Sequence, residues 1–125
     1  AKRIQATFPG WKNIRRFSGE GDLMAGMKPV PTYGHTVGHT SFLLSSGNQS
    51  YMVVADVTNI TQLFVRNPGW HAAFDQDPQQ AEVTRRKFFD RLIADNQLCG
   101  GYHWGMPGCG SLAKDGSGYV FTPRA

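Results

Sequence analysis

The chain has 125 residues, room for one modest domain and not for two, and at 40% hydrophobic and 18% charged it has a globular composition that excludes disorder. Thirteen Lys and Arg against nine Asp and Glu give a formal charge of +4, but the basic residues are scattered apart from Arg15-Arg16 and Arg85-Arg86-Lys87. That is not the one-faced cluster with interleaved aromatics of a nucleic-acid footprint, and the longest apolar run, 51–55, falls far short of the roughly 20 residues that span a bilayer, so no nucleic acid and no membrane is expected as partner.

Fifteen Gly and seven Pro point to tight loops between short elements. Residues 14–17 read as a short strand. The stretch 27–33 reads as extended, because each of Pro29 and Pro31 biases its predecessor toward β or polyproline geometry. Residues 41–44 and 51–57 read as two strands joined by a turn at Gly47-Asn48, the second apolar enough to be covered on both faces. A helix is predicted over 78–96, with Asp77 as N-cap, Pro78 in the first helical position and Gln80 completing a capping box. Ala81, Thr84, Phe88 and Leu92, flanked by Phe89 and Ile93, form its apolar stripe. A short strand over 98–102, a tight loop over 105–110 and a final strand over 118–121 complete a chain without internal repeat or linker, expected to be a single unit over 1–125. Cys99 and Cys109 are too few for a disulfide scaffold, and two small buried thiols are the ordinary reading. The start, Ala1-Lys2-Arg3-Ile4-Gln5, has neither an initiator Met nor an apolar signal core, as expected for a processed product or a piece of something longer.

Chemistry-bearing residues fall where predicted strands meet loops. In Tyr33-Gly34-His35-Thr36-Val37-Gly38-His39-Thr40 two histidines stand four apart, each after a glycine, and the glycines argue for a bent loop rather than a helix. One imidazole in such a loop can bind a metal while the other supports it. Asp56 ends an apolar strand, where a carboxylate is costly unless paired or ligated. His103 follows the strand at 98–102 and precedes Trp104-Gly105-Met106-Pro107-Gly108. His39, Asp56 and His103 therefore form a candidate constellation at strand ends. For each alone, the competing reading is a satisfied polar or turn residue. His71 reads as a surface residue. Asp75 and Asp77 read as helix-initiating carboxylates suited to the macrodipole.

The ordered series Gly34-His35-Thr36-Val37-Gly38-His39-Thr40-Ser41-Phe42, Ala55-Asp56, Tyr102-His103 and Pro107-Gly108-Cys109-Gly110 resembles the metallo-β-lactamase superfamily, most nearly the branch of methyl parathion hydrolase and related lactonase-like enzymes. Arg16-Phe17-Ser18-Gly19, the Asp75–Asp77 acidic turn before Arg85-Arg86-Lys87-Phe88, and Gly116-Ser117-Gly118-Tyr119 extend the resemblance over most of 14–123. It implies an α/β (α+β) fold, the C-terminal half of an αββα sandwich with a mixed, mostly antiparallel sheet and covering helices. It also implies two divalent metals, zinc in most members, sharing a bridging hydroxide that attacks an ester-like, lactone or organophosphate bond. His39 would ligate one metal, Asp56 would bridge both and His103 would ligate the other, with Asp56 and His103 as catalytic residues. His35 would support the ligand loop, and Trp70, Phe74 and Trp104 would form an apolar substrate wall. Val37 stands where the family often has Pro. The family's His-x-His-x-Asp-His motif, from its N-terminal half, is not in this sequence.

The resemblance thus implies three of about seven ligands, divided between two metals, so neither metal keeps a closed shell. The chain alone is expected to bind metal poorly and hydrolyse little. Its expected partners are a small-molecule substrate and the missing N-terminal half or another subunit, and an uncovered apolar sheet face favours a homo-oligomer. The alternative is a non-catalytic half-fold that binds a protein partner. The compartment is left open between the periplasm and cytoplasm of a bacterium.

Overall fold

The computed structural model describes residues 2–19 and 21–124. A short helix, α1 (Lys2–Thr7), and a 3₁₀ turn (Phe8–Gly10) precede a non-helical segment that leads into six strands. These are β1 (Met27–Pro31), β2 (Thr40–Ser46), β3 (Gln49–Ala55), β4 (Cys99–Gly101), β5 (Cys109–Asp115) and β6 (Gly118–Pro123). They lie side by side in chain order in one sheet, every neighbouring pair antiparallel except β3 and β4, which run parallel. A parallel pair needs a crossover. Here it runs through a π-helical turn (Thr61–Val65) and the long helix α2 (Pro78–Ala94). No helix among the described residues is long and apolar enough to cross a membrane.

Helix α2 starts where its sequence directs. The Asp77 carboxylate accepts from the Gln80 backbone N–H at 3.0 Å, and Pro78 occupies the first turn, where a missing N–H costs nothing. The reciprocal arm of the predicted capping box is not made: the Gln80 side chain donates to Thr84 Oγ1, and the Asp77 N–H is taken by the Gly34 carbonyl. The helix buries Ala81, Phe88, Phe89 and Leu92 on the sheet, and Arg85 joins them. Facing them are Val30, Met52, Val54, Cys99, Leu112 and Tyr119. Side chains of about the size of Phe89 and Leu92 contribute roughly 1.5–3 kcal/mol each when fully buried, which makes this helix–sheet layer the core.

The opposite face of the sheet carries Phe42, Leu44, Tyr51 and Val53, all half-buried, with Phe17 from the N-terminal segment edge-on to Phe42 at 6.4 Å. The expectation that β3 is covered on both faces thus holds for its helix-facing residues alone. Gly100 is required on this side, since a Cβ there would collide with the Tyr51 hydroxyl and the Gly108 carbonyl.

Three readings of the elements are corrected. Residues 14–17 form no strand; Ile14-Arg15-Arg16-Phe17, two adjacent cations between two apolar residues, lacks the period-2 alternation of a half-buried strand and pairs with none in the sheet. The segment predicted to end as a loop at 110 instead begins β5 at Cys109, a strand whose sequence, CGSLAKD, offers one large apolar residue and no alternation to read. Helix α1 was not anticipated and buries none of its residues. The cysteines are free thiols. Cys99 stands opposite Gly110 and Cys109 opposite Gly100 in the ladder, so the thiols leave opposite faces of the sheet.

Candidate metal-binding edge

The strand directions explain why three residues far apart in sequence meet. Asp56 follows the C-terminal end of β3, and His103 follows that of β4, which runs parallel to it. His39 immediately precedes β2, antiparallel to β3. All three are therefore delivered to one edge of the sheet. The Asp56 backbone N–H donates to His39 Nε2 at 3.0 Å, and Asp56 Oδ1 lies 3.0 Å from His103 Nε2.

Asp56 and His39 are positioned by identifiable local structure, whereas exposed His103 is held by its contact with Asp56 alone among the described residues. The β3–β4 register shifts between Val53 and Ala55, and Ala55 takes a left-handed φ of 54°, a conformation that costs a non-glycine residue of order 1–3 kcal/mol and is retained where the surroundings enforce it. This kink turns the chain out of the sheet at Asp56. Because the Asp56 amide donates to Nε2 of His39, the ring proton sits on Nδ1, which donates to the Thr32 carbonyl at 3.0 Å with the Thr32 hydroxyl at 2.9 Å. That hydroxyl lies 3.0 Å from Ser41 Oγ, which in turn donates to the Val54 carbonyl. Burial, the dominant cause, lowers the His39 pKa, although the Thr32 hydrogen bond opposes the shift. A neutral imidazole held by its Nδ1–H, with its lone pair on Nε2, is the form that ligates a metal.

His35 lies behind His39, the two rings edge to face at 5.7 Å, with Phe74 at 5.8 Å from the His35 ring. His35 Nδ1 meets Asp75 Oδ1 at 2.9 Å. The Asp75 side chain is 2% exposed and its Oδ2 lies 3.6 Å from the guanidinium of Arg85, which is itself buried. Asp75 is thus no helix-initiating residue; the cap is Asp77 alone. Arg85 donates from Nε to the Val57 carbonyl and from one terminal nitrogen to the carbonyls of Pro68 and Trp70, at 2.8–3.0 Å. A run of three basic residues on a helix gave no sign that the first faces inward. The roles of Thr32, Asp75 and Arg85 are not legible in the sequence, where the last two enter only as motif context, because each looks like ordinary turn or surface chemistry until the fold buries it.

The expected apolar wall divides. Trp70 and Phe74 are exposed, 52% and 58%. Trp104 instead is 6% exposed and packs into the core against Phe121, ring centroids 4.6 Å apart, so it does not present an open wall here. His71 lies at the surface and pairs with Glu82 at 2.9 Å.

The donor set fits part of a divalent-metal shell. Asp56 touches His39 through its backbone N–H and His103 through its carboxylate, but among the described residues no group of three His, Cys, Asp or Glu surrounds one point. The lone pair of His39 Nε2 is engaged by the Asp56 amide and must exchange that bond to ligate.

No protein-family profile and no curated protein matches the chain. Solved structures do. The chain is similar to AidC, a dizinc quorum-quenching lactonase, at 25% identity and a TM-score of 0.84, over 99% of this chain and 45% of that one. It is similar to the hydrolase AbOPH of the β-lactamase superfamily at 27% identity and 0.79, over 99% and 41%. A metal-dependent hydrolase from Staphylococcus aureus, so described as probable, matches in fold at 21% identity and 0.68, over 87% and 40%. The chain spans less than half the length of these structures, and its fold is that of half a metallo-β-lactamase-superfamily hydrolase.

Proposed function

We propose that this half of a metallo-β-lactamase fold belongs to a dinuclear-metal hydrolase of ester-like, lactone or organophosphate bonds, and that it contributes His39, Asp56 and His103 to the metal-binding edge. The observation that supports the reading is the double contact of Asp56, whose backbone N–H donates to His39 Nε2 and whose carboxylate lies beside His103 Nε2, each at 3.0 Å. Two strand ends and one strand start bring them together, which a set of unrelated turn residues has no reason to do.

Within this chain, burial favours neutral His39 and the Thr32 carbonyl fixes its proton on Nδ1, with Nε2 directed at the Asp56 turn, while the Ala55 kink holds the Asp56 carboxylate beside His103. His39 Nε2, the Asp56 carboxylate and His103 Nε2 are the donors that would hold metal. When bound, a divalent cation supplies Lewis acidity and makes water nucleophilic at neutral pH. The remaining ligands come from outside these residues, so the chain alone is inactive in this reading. Phe74, against His35, and Trp70, both exposed in the segment before α2, would form an apolar side of the substrate site.

The half-exposed apolar face of Phe42, Leu44, Tyr51 and Val53 favours a second reading, a half-fold that works by binding a protein partner. Zinc content and hydrolysis of a homoserine lactone and an aryl phosphotriester separate the two, measured on the 125-residue chain and on the longest product of its gene. The hydrolase reading expects little zinc and no turnover from the chain, and two zincs with turnover from a longer product, lost on His39→Ala, Asp56→Ala or His103→Ala. Two tightly held zincs in the chain alone would overturn the incomplete site. A longest product without zinc or turnover would leave the binding module.

A further inference from the structure

Resting on that reading, we infer that Asp75, faced by the Arg85 guanidinium, is a positioning residue that fixes the His35 ring and, through it, the presentation of His39 at the Asp56 edge. A carboxylate buried to 2% exposure is costly unless it is paired and hydrogen-bonded. Asp75 makes one side-chain hydrogen bond among the described residues, to His35, and its second oxygen has no hydrogen-bond partner. The capping duty that would otherwise explain an acid here is performed by Asp77. Arg85 cannot swing closer to claim Asp75 fully, because three backbone carbonyls anchor its guanidinium.

The geometry of the latch follows from what a carboxylate can do. It only accepts, so His35 must carry its proton on Nδ1. That pins the ring with Phe74 on one side and the His39 ring on the other, the two imidazoles at 86° to each other. The backbone reinforces the same docking: the N–H groups of Gln76 and Asp77 donate to the carbonyls of His35 and Gly34, and the Gln76 side chain accepts from the Val37 N–H. The loop that carries His39 is thus fastened at its start to the segment that carries Asp75. Gly34, at a φ of 133° and against the backbone of Ala81, permits that approach.

Asp75→Asn tests this without metal. The guanidinium of Arg85 faces one side-chain atom of residue 75 and His35 the other. Asn keeps its oxygen for the cation and turns its NH₂ to His35, which inverts the tautomer. ¹⁵N-detected imidazole spectra of the 125-residue chain should show His35 protonated on Nε2 in place of Nδ1. Exchange of the Asp56 amide, hydrogen-bonded to His39 Nε2, should accelerate roughly tenfold more than that of Phe89 in α2. A general loss of stability would speed both alike. A folded variant with unchanged His35 tautomer and unchanged relative Asp56 exchange overturns the proposal. If Asp75→Asn does not fold, His35→Ala leaves the Asp75–Arg85 pair in place and is read by the same Asp56 exchange ratio. In a zinc-binding longer product, Asp75→Asn should lower zinc affinity about 10–100-fold in a chelator competition. Failure of the wild type to bind zinc would refute the hydrolase reading and leave the tautomer result to decide the positioning role.

Discussion

Replacing Arg85 with Met isolates a buried cation whose contacts are fully enumerated. Met keeps most of the apolar stem, so packing changes little and the loss is polar. Three backbone carbonyls, of Val57, Pro68 and Trp70, lose their donor, and Asp75 is left buried without its counter-charge. Hydrogen bonds to a charged group contribute about 1.5–3 kcal/mol each, and breaking a buried pair on one side costs about 3–5 kcal/mol. The terms share one side chain and do not add. The 3.6 Å separation from Asp75 marks a loose pair, so a net destabilisation of about 4 kcal/mol is expected. Against a domain stability of about 5–15 kcal/mol that is a large fraction, and with a urea m value of about 1.5 kcal/mol/M the midpoint should fall by about 2–3 M. Arg86→Met is the control: Arg86 is half-exposed and pairs with Glu82 at the surface, so its loss should move the midpoint little. Adding Asp75→Asn to Arg85→Met removes the stranded charge and should restore about 1–2 kcal/mol. Equal midpoints for the Arg85 and Arg86 variants would refute the account of Arg85 as the anchor of the 57–75 region.

Burial holds the Cys99 thiol at a pKa of about 12, so under native conditions at pH 8 an alkylating reagent should modify half-buried Cys109 and leave Cys99 untouched, as located by peptide mass spectrometry; prompt labelling of Cys99 would contradict the core placement. Because burial depresses the His39 pKa in the folded chain, the unfolded chain takes up its proton first on acidification. Stability should be constant above about pH 6.5 with respect to this group and fall below it. His39→Gln should remove that part of the acid sensitivity, with His35, Asp56 and Asp75 facing the site in both proteins; an unchanged pH profile of urea midpoints would sink the assignment. Gly34→Ala should cost about 3 kcal/mol or more by thermal unfolding, because it adds a strained left-handed φ to a collision with the Ala81 backbone; a neutral substitution would mean that the loop does not sit on α2.

The parts of the fold that were legible in the sequence are those governed by local rules. Asp77-Pro78 announces the start of α2 because a cap and a fixed φ act within one turn, and Gly47-Asn48 marks the β2–β3 turn for the same reason. Strand β5 was illegible because its existence depends on β4 and β6 lying either side of it. The candidate site divides the same way. His39, Asp56 and His103 could be singled out by their place at strand ends. Asp75 and Arg85 gained their meaning from a contact 10 residues apart in sequence that only the docking of α2 creates, and Trp104 was placed in the substrate wall by its position after His103 because nothing in its own neighbourhood showed that Gly101 leaves room for its ring.

Strand β4 has three residues, two of them glycine, yet it alone joins the β1–β3 group to the β5–β6 hairpin within the sheet. The two groups are each built from antiparallel neighbours close in sequence, whose pairing closes short loops, whereas the β3–β4 pairing closes a loop of more than 40 residues at a larger entropic cost. The seam is therefore the natural line of partial opening. It also runs between the donors: His39 and Asp56 stand on one side of it and His103 on the other. A fluctuation that parts β3 from β4 leaves the His39–Asp56 contact whole and carries His103 away, so occupancy of the complete edge reports on the integrity of a three-residue strand.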